Sequence, residues 1–182
     1  MSNLKTKVVS ELSKIKREGV HSVISKKEDY KIVNMEIIRF LTNNIKNNGV
    51  YVSLCRAHCS VVKEFENQKI NIEKIIFIDN NEEGNGCGAH NCIFLGRNKS
   101  LTSLSLAITE ACNDNAVKFI VLDSIDILLV YHDLELTKRF VHYFINKIKN
   151  LGILTIIILV EEPNSDKLMS ILFQLSDGVI NL

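Results

Sequence analysis

Two stretches of this chain, Val117-Lys118-Phe119-Ile120-Val121-Leu122 and Leu154 to Val160, are almost wholly apolar, and segments with apolar residues at helical spacing flank both. A strand without polar alternation cannot turn one side to water, so each run belongs at the centre of a sheet covered by helices on both faces. Shorter strand-like runs at residues 20–24, 50–54, 74–79 and 178–182 extend the pattern. Between them, helical spacing puts Ile37, Ile38, Leu41 and Ile45 on one side of residues 35–47, and Val141, Phe144, Ile145 and Ile148 on one side of residues 134–149. Helices are also expected near 60–67, 101–113 and 165–175, with Asn48-Gly49 closing the helix before it and residues 80–99 irregular. Strands separated by helices imply right-handed crossovers, hence an α/β three-layer sandwich around a mostly parallel sheet of about six strands.

Leu4, Val8, Leu12 and Ile15 recur at helical spacing among lysines and glutamates, which predicts an amphipathic amino-terminal helix in residues 1–19, ending at Gly19 and lying on the sheet or on a partner. Residues 20–182 read as a single domain, because no linker or repeat divides them. A net charge of +1 supplies no basic field, so a nucleic-acid partner is not indicated. No run approaches the ~20 apolar residues of a bilayer span and no signal-like segment follows the start, so no membrane association and a cytoplasmic location are expected. The five cysteines, an odd number, read as reduced thiols rather than a disulfide framework.

Phe119-Ile120-Val121-Leu122-Asp123-Ser124 is an apolar strand that ends in an acid. Such an aspartate either caps or turns the chain, or orients a magnesium ion through water at a phosphoryl-transfer site. Its order among the other segments decides how to read it. Residues 50–54, Ile75-Ile76-Phe77-Ile78-Asp79, the Asp123-Ser124 strand, Thr155-Ile156-Ile157-Ile158 with Glu161-Glu162-Pro163, and Ser176-Asp177-Gly178-Val179-Ile180 together resemble the KaiC/RadA-type branch of RecA-like ATPases across residues 20–182. Residues 50–65, with Leu54-Cys55-Arg56-Ala57-His58, are also similar to a related domain without a phosphate loop in archaeal signalling and regulatory proteins.

The resemblance implies a glycine-rich phosphate loop after the first strand and a catalytic glutamate after the tyrosine-bearing one. Residues 25–34 contain no glycine, whereas a phosphate cradle requires glycines so that successive N–H groups can converge on an anion. Cys55 and Arg56 stand where the glutamate would align water. The expectation is therefore a catalytically inactive, P-loop-degenerate domain of archaeal type, acting in regulation, signalling or protein interaction. The alternative is an ATP-binding protein with an atypical loop and weak or no hydrolysis, in which Asp123 and Ser124 would face the nucleotide and its magnesium.

A second constellation is Cys55, His58 and Cys59 after one strand with Cys87, His90 and Cys92 after the next. Four of the six would suffice for a tetrahedral zinc site, although the spacing fits no common zinc module and plain thiols explain it equally. No cofactor is the first expectation, with ATP/magnesium or zinc as alternatives. His21, His132 and His142 stand alone. Lys26, Lys27, Lys31 and Arg56 form a small cationic group offset by Glu28 and Asp29, and Leu128-Leu129-Val130-Tyr131 is an apolar cluster suited to a protein partner or to self-association.

Overall fold

The computed structural model describes residues 2–45, 47–80, 91–96, 100–113, 116–163 and 165–182. The helices are α1 (Ser2–Leu12), α2 (Tyr30–Asn44), α3 (His58–Asn67), α4 (Leu101–Ala111), α5 (Leu128–Tyr131), α6 (Leu134–Lys149) and α7 (Asp166–Leu175). The strands are β1 (Val20–Ser25), β2 (Asn48–Ser53), β3 (Ile75–Asp79), β4 (Cys92–Phe94), β5 (Val117–Asp123), β6 (Leu154–Val160) and β7 (Gly178–Asn181). All pair in parallel, in the order β4-β3-β2-β5-β6-β1-β7. The strands that read as continuous apolar runs, β5 and β6, are adjacent at the centre, as double coverage requires.

Strand alternation divides the interior into two cores. Val23, Tyr51, Phe119, Val121, Ile156 and Ile158 face α1, α2 and α3. Ile24, Val52, Ile120, Leu122, Ile157 and Leu159 face α4, α6 and α7. α1 joins the first core through Val8 and Leu12, so the amphipathic helix lies on its own chain.

The sheet has seven strands rather than about six. The extra one, β4, is three residues long and falls within the segment expected to be irregular, too short to show a period. α1 ends at Leu12, short of Gly19, although Gly19 does adopt a left-handed φ of +86°. α2 begins at Tyr30 and ends at Asn44, so Asn48-Gly49 opens β2 instead of closing a helix. Gly49 is required for another reason: a Cβ there would lie 2.0 Å from Cζ of Phe119, whose ring occupies that space. In the cluster of residues 128–131, Leu128 joins the core while Val130 is 69% exposed. Among the described residues no helix is long and apolar enough to cross a membrane.

Candidate functional site

Asp123 ends β5 with only 1% of its surface exposed, and four side chains donate hydrogen bonds to its carboxylate. Tyr30 reaches Oδ1 at 2.6 Å. Asn34 Nδ2 reaches Oδ2 at 2.8 Å, Arg56 Nη2 reaches it at 3.2 Å, and the Tyr51 hydroxyl donates to it as well. Tyr30 and Asn34 sit one turn apart on α2 and therefore share a face. Tyr51 comes from β2 and Arg56 from the turn that follows it. Tyr51 completes the cluster by accepting from Asn34 Nδ2 at 2.8 Å and from Arg56 Nη2 at 3.0 Å.

Charge is balanced within the same network. Arg56 pairs with both Asp123 and Glu64, and its guanidinium carbon stands 5.7 Å from the centre of the Tyr30 ring. Glu64 in turn faces Lys31 at 3.5 Å. Burial, reinforced by the Asp123 carboxylate, raises both phenols well above the usual tyrosine pKa, so both hydroxyls keep the protons that they donate.

The turn between β1 and α2 is only residues 26–29. Its amides turn back on the chain: N–H of Asp29 and of Tyr30 both donate to the Lys26 carbonyl, at 3.1 and 3.0 Å. Lys27 pairs with Glu162 at 2.8 Å, so three members of the cationic group read from the sequence, Lys27, Lys31 and Arg56, pair with three different carboxylates. Tyr30 and Asn34 belong to α2, which begins five residues before the helix that the spacing placed over residues 35–47.

Asp123 is not a cap or turn residue either. The 3-10 turn at Ile125–Ile127 has no side-chain cap, and the aspartate faces the cluster described above. Ser124 is nearly buried and its hydroxyl bonds to Asp126, which also accepts from the Val160 amide at 3.0 Å. Burial holds Asp126 above the ordinary carboxylate range.

The cysteine and histidine set is only partly assembled. His58 opens α3 at 3% exposure, and its backbone N–H donates to Asp79 Oδ2 at 2.6 Å. Its ring lies edge-on to Phe77 at 4.9 Å and to Phe94 at 6.0 Å, and neither ring nitrogen has a hydrogen-bond partner. Burial lowers its pKa, so it packs as a neutral aromatic ring. Cys55 is an exposed free thiol, and Cys92 is partly buried. Cys59 is disulfide-bonded, which corrects the reading of five reduced thiols and removes its sulfur from a thiolate ligand set. Cys87 and His90 lie outside the described residues, and among those described no three or more His, Cys, Asp or Glu side chains are grouped to hold a metal.

Sequence reasoning found Asp123 and Arg56 but missed Tyr30, Asn34, Tyr51 and Glu64 as their partners. One signal was available. Asn34 lies in the buried stripe of α2 among Val33, Ile37, Ile38 and Leu41, and a buried amide in such a stripe demands a polar partner.

Comparison with known proteins agrees with this architecture. The crystal structure of a KaiC-like protein from the hyperthermophilic archaeon Pyrococcus horikoshii superimposes with a TM-score of 0.67, covering 90% of this chain and 70% of that one at 15% sequence identity. No curated protein matches the sequence. The KaiC ATPase family matches residues 37–182, most of the chain, from within α2 to the last residue of the sequence above. On that match, the chain belongs to the KaiC family of ATPase domains.

Proposed function

We propose that this protein is a catalytically inactive KaiC-family domain that serves as a cytoplasmic regulatory or protein-interaction module. One observation carries the reading: three protein donors converge on Oδ2 of Asp123 and a fourth takes Oδ1, which occupies most of the about four acceptor sites of an ionised carboxylate. In phosphoryl transfer that aspartate must instead hold water on a magnesium ion. The guanidinium of Arg56 supplies the positive charge that a metal would otherwise bring. The Tyr30 side chain stands against the aspartate from the start of α2, on the side where a phosphate loop would run.

Two further features support the reading. The β1–α2 turn bonds its Asp29 and Tyr30 amides to the Lys26 carbonyl rather than directing them at an anion, and its four residues include no glycine. Arg56 and the exposed Cys55 also leave no acid after β2 to align an attacking water. These residues do not fit a magnesium nucleotide, and no step of hydrolysis is drawn through one.

The test is a thermal melt with and without magnesium ATP, alongside phosphate release from the purified chain. A ligand at about 100 times its Kd adds about 2.7 kcal/mol, which in a chain of this size raises Tm by roughly 5–10 °C. The expected result is a Tm shift below about 1 °C and no phosphate release. A raised Tm would establish nucleotide binding through an atypical loop. Phosphate release that disappears in Asp123→Asn would establish an active enzyme.

A further inference from the structure

The helical flank opposite the tyrosine cluster carries an apolar groove that the core does not fill. It lies between α4 and α6 and encloses about 350 Å³. Leu106 on α4 is 60% exposed, and Leu136 and Tyr143 on α6 are 43% and 56% exposed, although the neighbouring positions Leu104, Ile108, Val141 and Phe144 are buried. Leu136, Phe140, Tyr143 and Lys147 follow one another at intervals of three or four residues along one side of α6. At 1.5 Å per residue that ridge is about 16 Å long, enough to support three turns of a docked helix.

The charges around the groove specify the occupant. Among the described residues, Arg139 and Lys147 line it and no carboxylate does. The one acid in the first turn of α6, Glu135, is paired with Lys138 at 2.8 Å. Lys147 lies 5.6 Å from the centre of the Tyr143 ring, which places a cation beside the most aromatic part of the wall. Ser105, also lining the groove, is 5% exposed and its buried hydroxyl has no partner.

We propose that this groove docks an acidic amphipathic helix of a partner protein, with apolar residues at i, i+3 or i+4, and i+7 and with Asp or Glu along its flanks. The proposal rests on the reading of the chain as an interaction module and names the surface that does the work. A second copy is a poorer occupant. The chain's own amphipathic helix, α1, presents Lys5 and Lys7 and already buries Val8 and Leu12 in its core.

The probe is a fluorescein-labelled synthetic helix of about 16 residues with leucines at that spacing and glutamates flanking them, titrated against the full chain by anisotropy. Binding should weaken with added salt. It should fall at least about tenfold in Leu106→Glu, in Arg139→Glu, and when the peptide's glutamates are replaced by lysines. Both altered positions are outside the core, and an unchanged circular dichroism spectrum and melt establish that each variant folds. Equal binding of the glutamate and lysine peptides, indifference to both substitutions, or no binding would overturn the proposal. Self-association that Leu106→Glu abolishes would assign the groove to a second copy and overturn it too. A nucleotide-induced Tm rise would end the inactive-domain reading while leaving the peptide result standing, and a negative peptide titration without such a rise would end this inference alone.

Discussion

The carboxyl edge of the sheet and the α4–α6 flank treat their side chains in opposite ways. At the edge, Tyr30, Asn34, Tyr51, Arg56 and Glu64 leave a family aspartate 1% exposed and neutralised. On the flank, Leu106 and Tyr143 stay more than half exposed although the core lies directly beneath them. The first region satisfies the Asp123 carboxylate internally and leaves Asn34 Oδ1 and Arg56 Nε buried without partners, whereas the second leaves apolar surface for something else to cover. Under the proposed function, the difference means that binding capacity in this domain has moved from the strand ends to the helical side.

The largest effect that would test this contrast is Asp123→Ala. It removes the acceptor from Tyr30, Asn34 and Tyr51 and leaves the partly buried Arg56 with Glu64 as its carboxylate partner, which at about 1–3 kcal/mol for each unsatisfied buried group should cost about 3–5 kcal/mol, read as a lower midpoint in urea unfolding. A loss below about 1 kcal/mol would mean that the cluster is not structural.

Tyr51→Phe should cost about 1–2 kcal/mol, because the Asp123 carboxylate loses a donor and Asn34 and Arg56 lose an acceptor. It should also alter the response to alkali. Both phenols hold their protons more tightly in the folded chain than in the unfolded one. Their stabilisation is therefore complete below about pH 10 and declines above it, as the unfolded chain releases protons that the folded chain retains. Urea midpoints measured across that range should fall less steeply in Tyr51→Phe than in the parent chain.

The smallest effect belongs to the flank. Leu106→Glu should change stability by no more than about 0.5 kcal/mol, since an exposed side chain leaves no cavity when replaced. Were it to cost as much as the tyrosine change, the groove would be a strained part of the core and the contrast between the two regions would fail.

Much of the architecture could be read directly from the chain, and the site only in part. Residues 117–122 and 154–160 have no polar alternation, and they do form the central strands. Cys92–Phe94 carries too few residues to show a period, so its strand came only with the tertiary pairing to β3. The start of α2 was obscured because Glu28-Asp29-Tyr30-Lys31 is polar, and polar residues at the start of a helix resemble a loop until their partners are known. Asp123 was visible as the acid that ends an apolar strand. Its donors were not, because they come from positions 30, 34, 51 and 56, and only the crossovers between strands bring them within 3.2 Å of it.

Arg56 makes the arrangement hard to undo. Hydrolysis would require an acid after β2 and glycines before α2. Yet Arg56→Glu, made first, would crowd a third carboxylate beside Glu64 and Asp123 with the compensating guanidinium gone. Opening the turn at Tyr30 first would remove a wall of the cluster while no triphosphate yet existed to replace it. Each change would injure the protein until the other is in place, so under the proposed function single substitutions lead away from catalysis far more readily than back to it, and the fold behaves as a one-way valve.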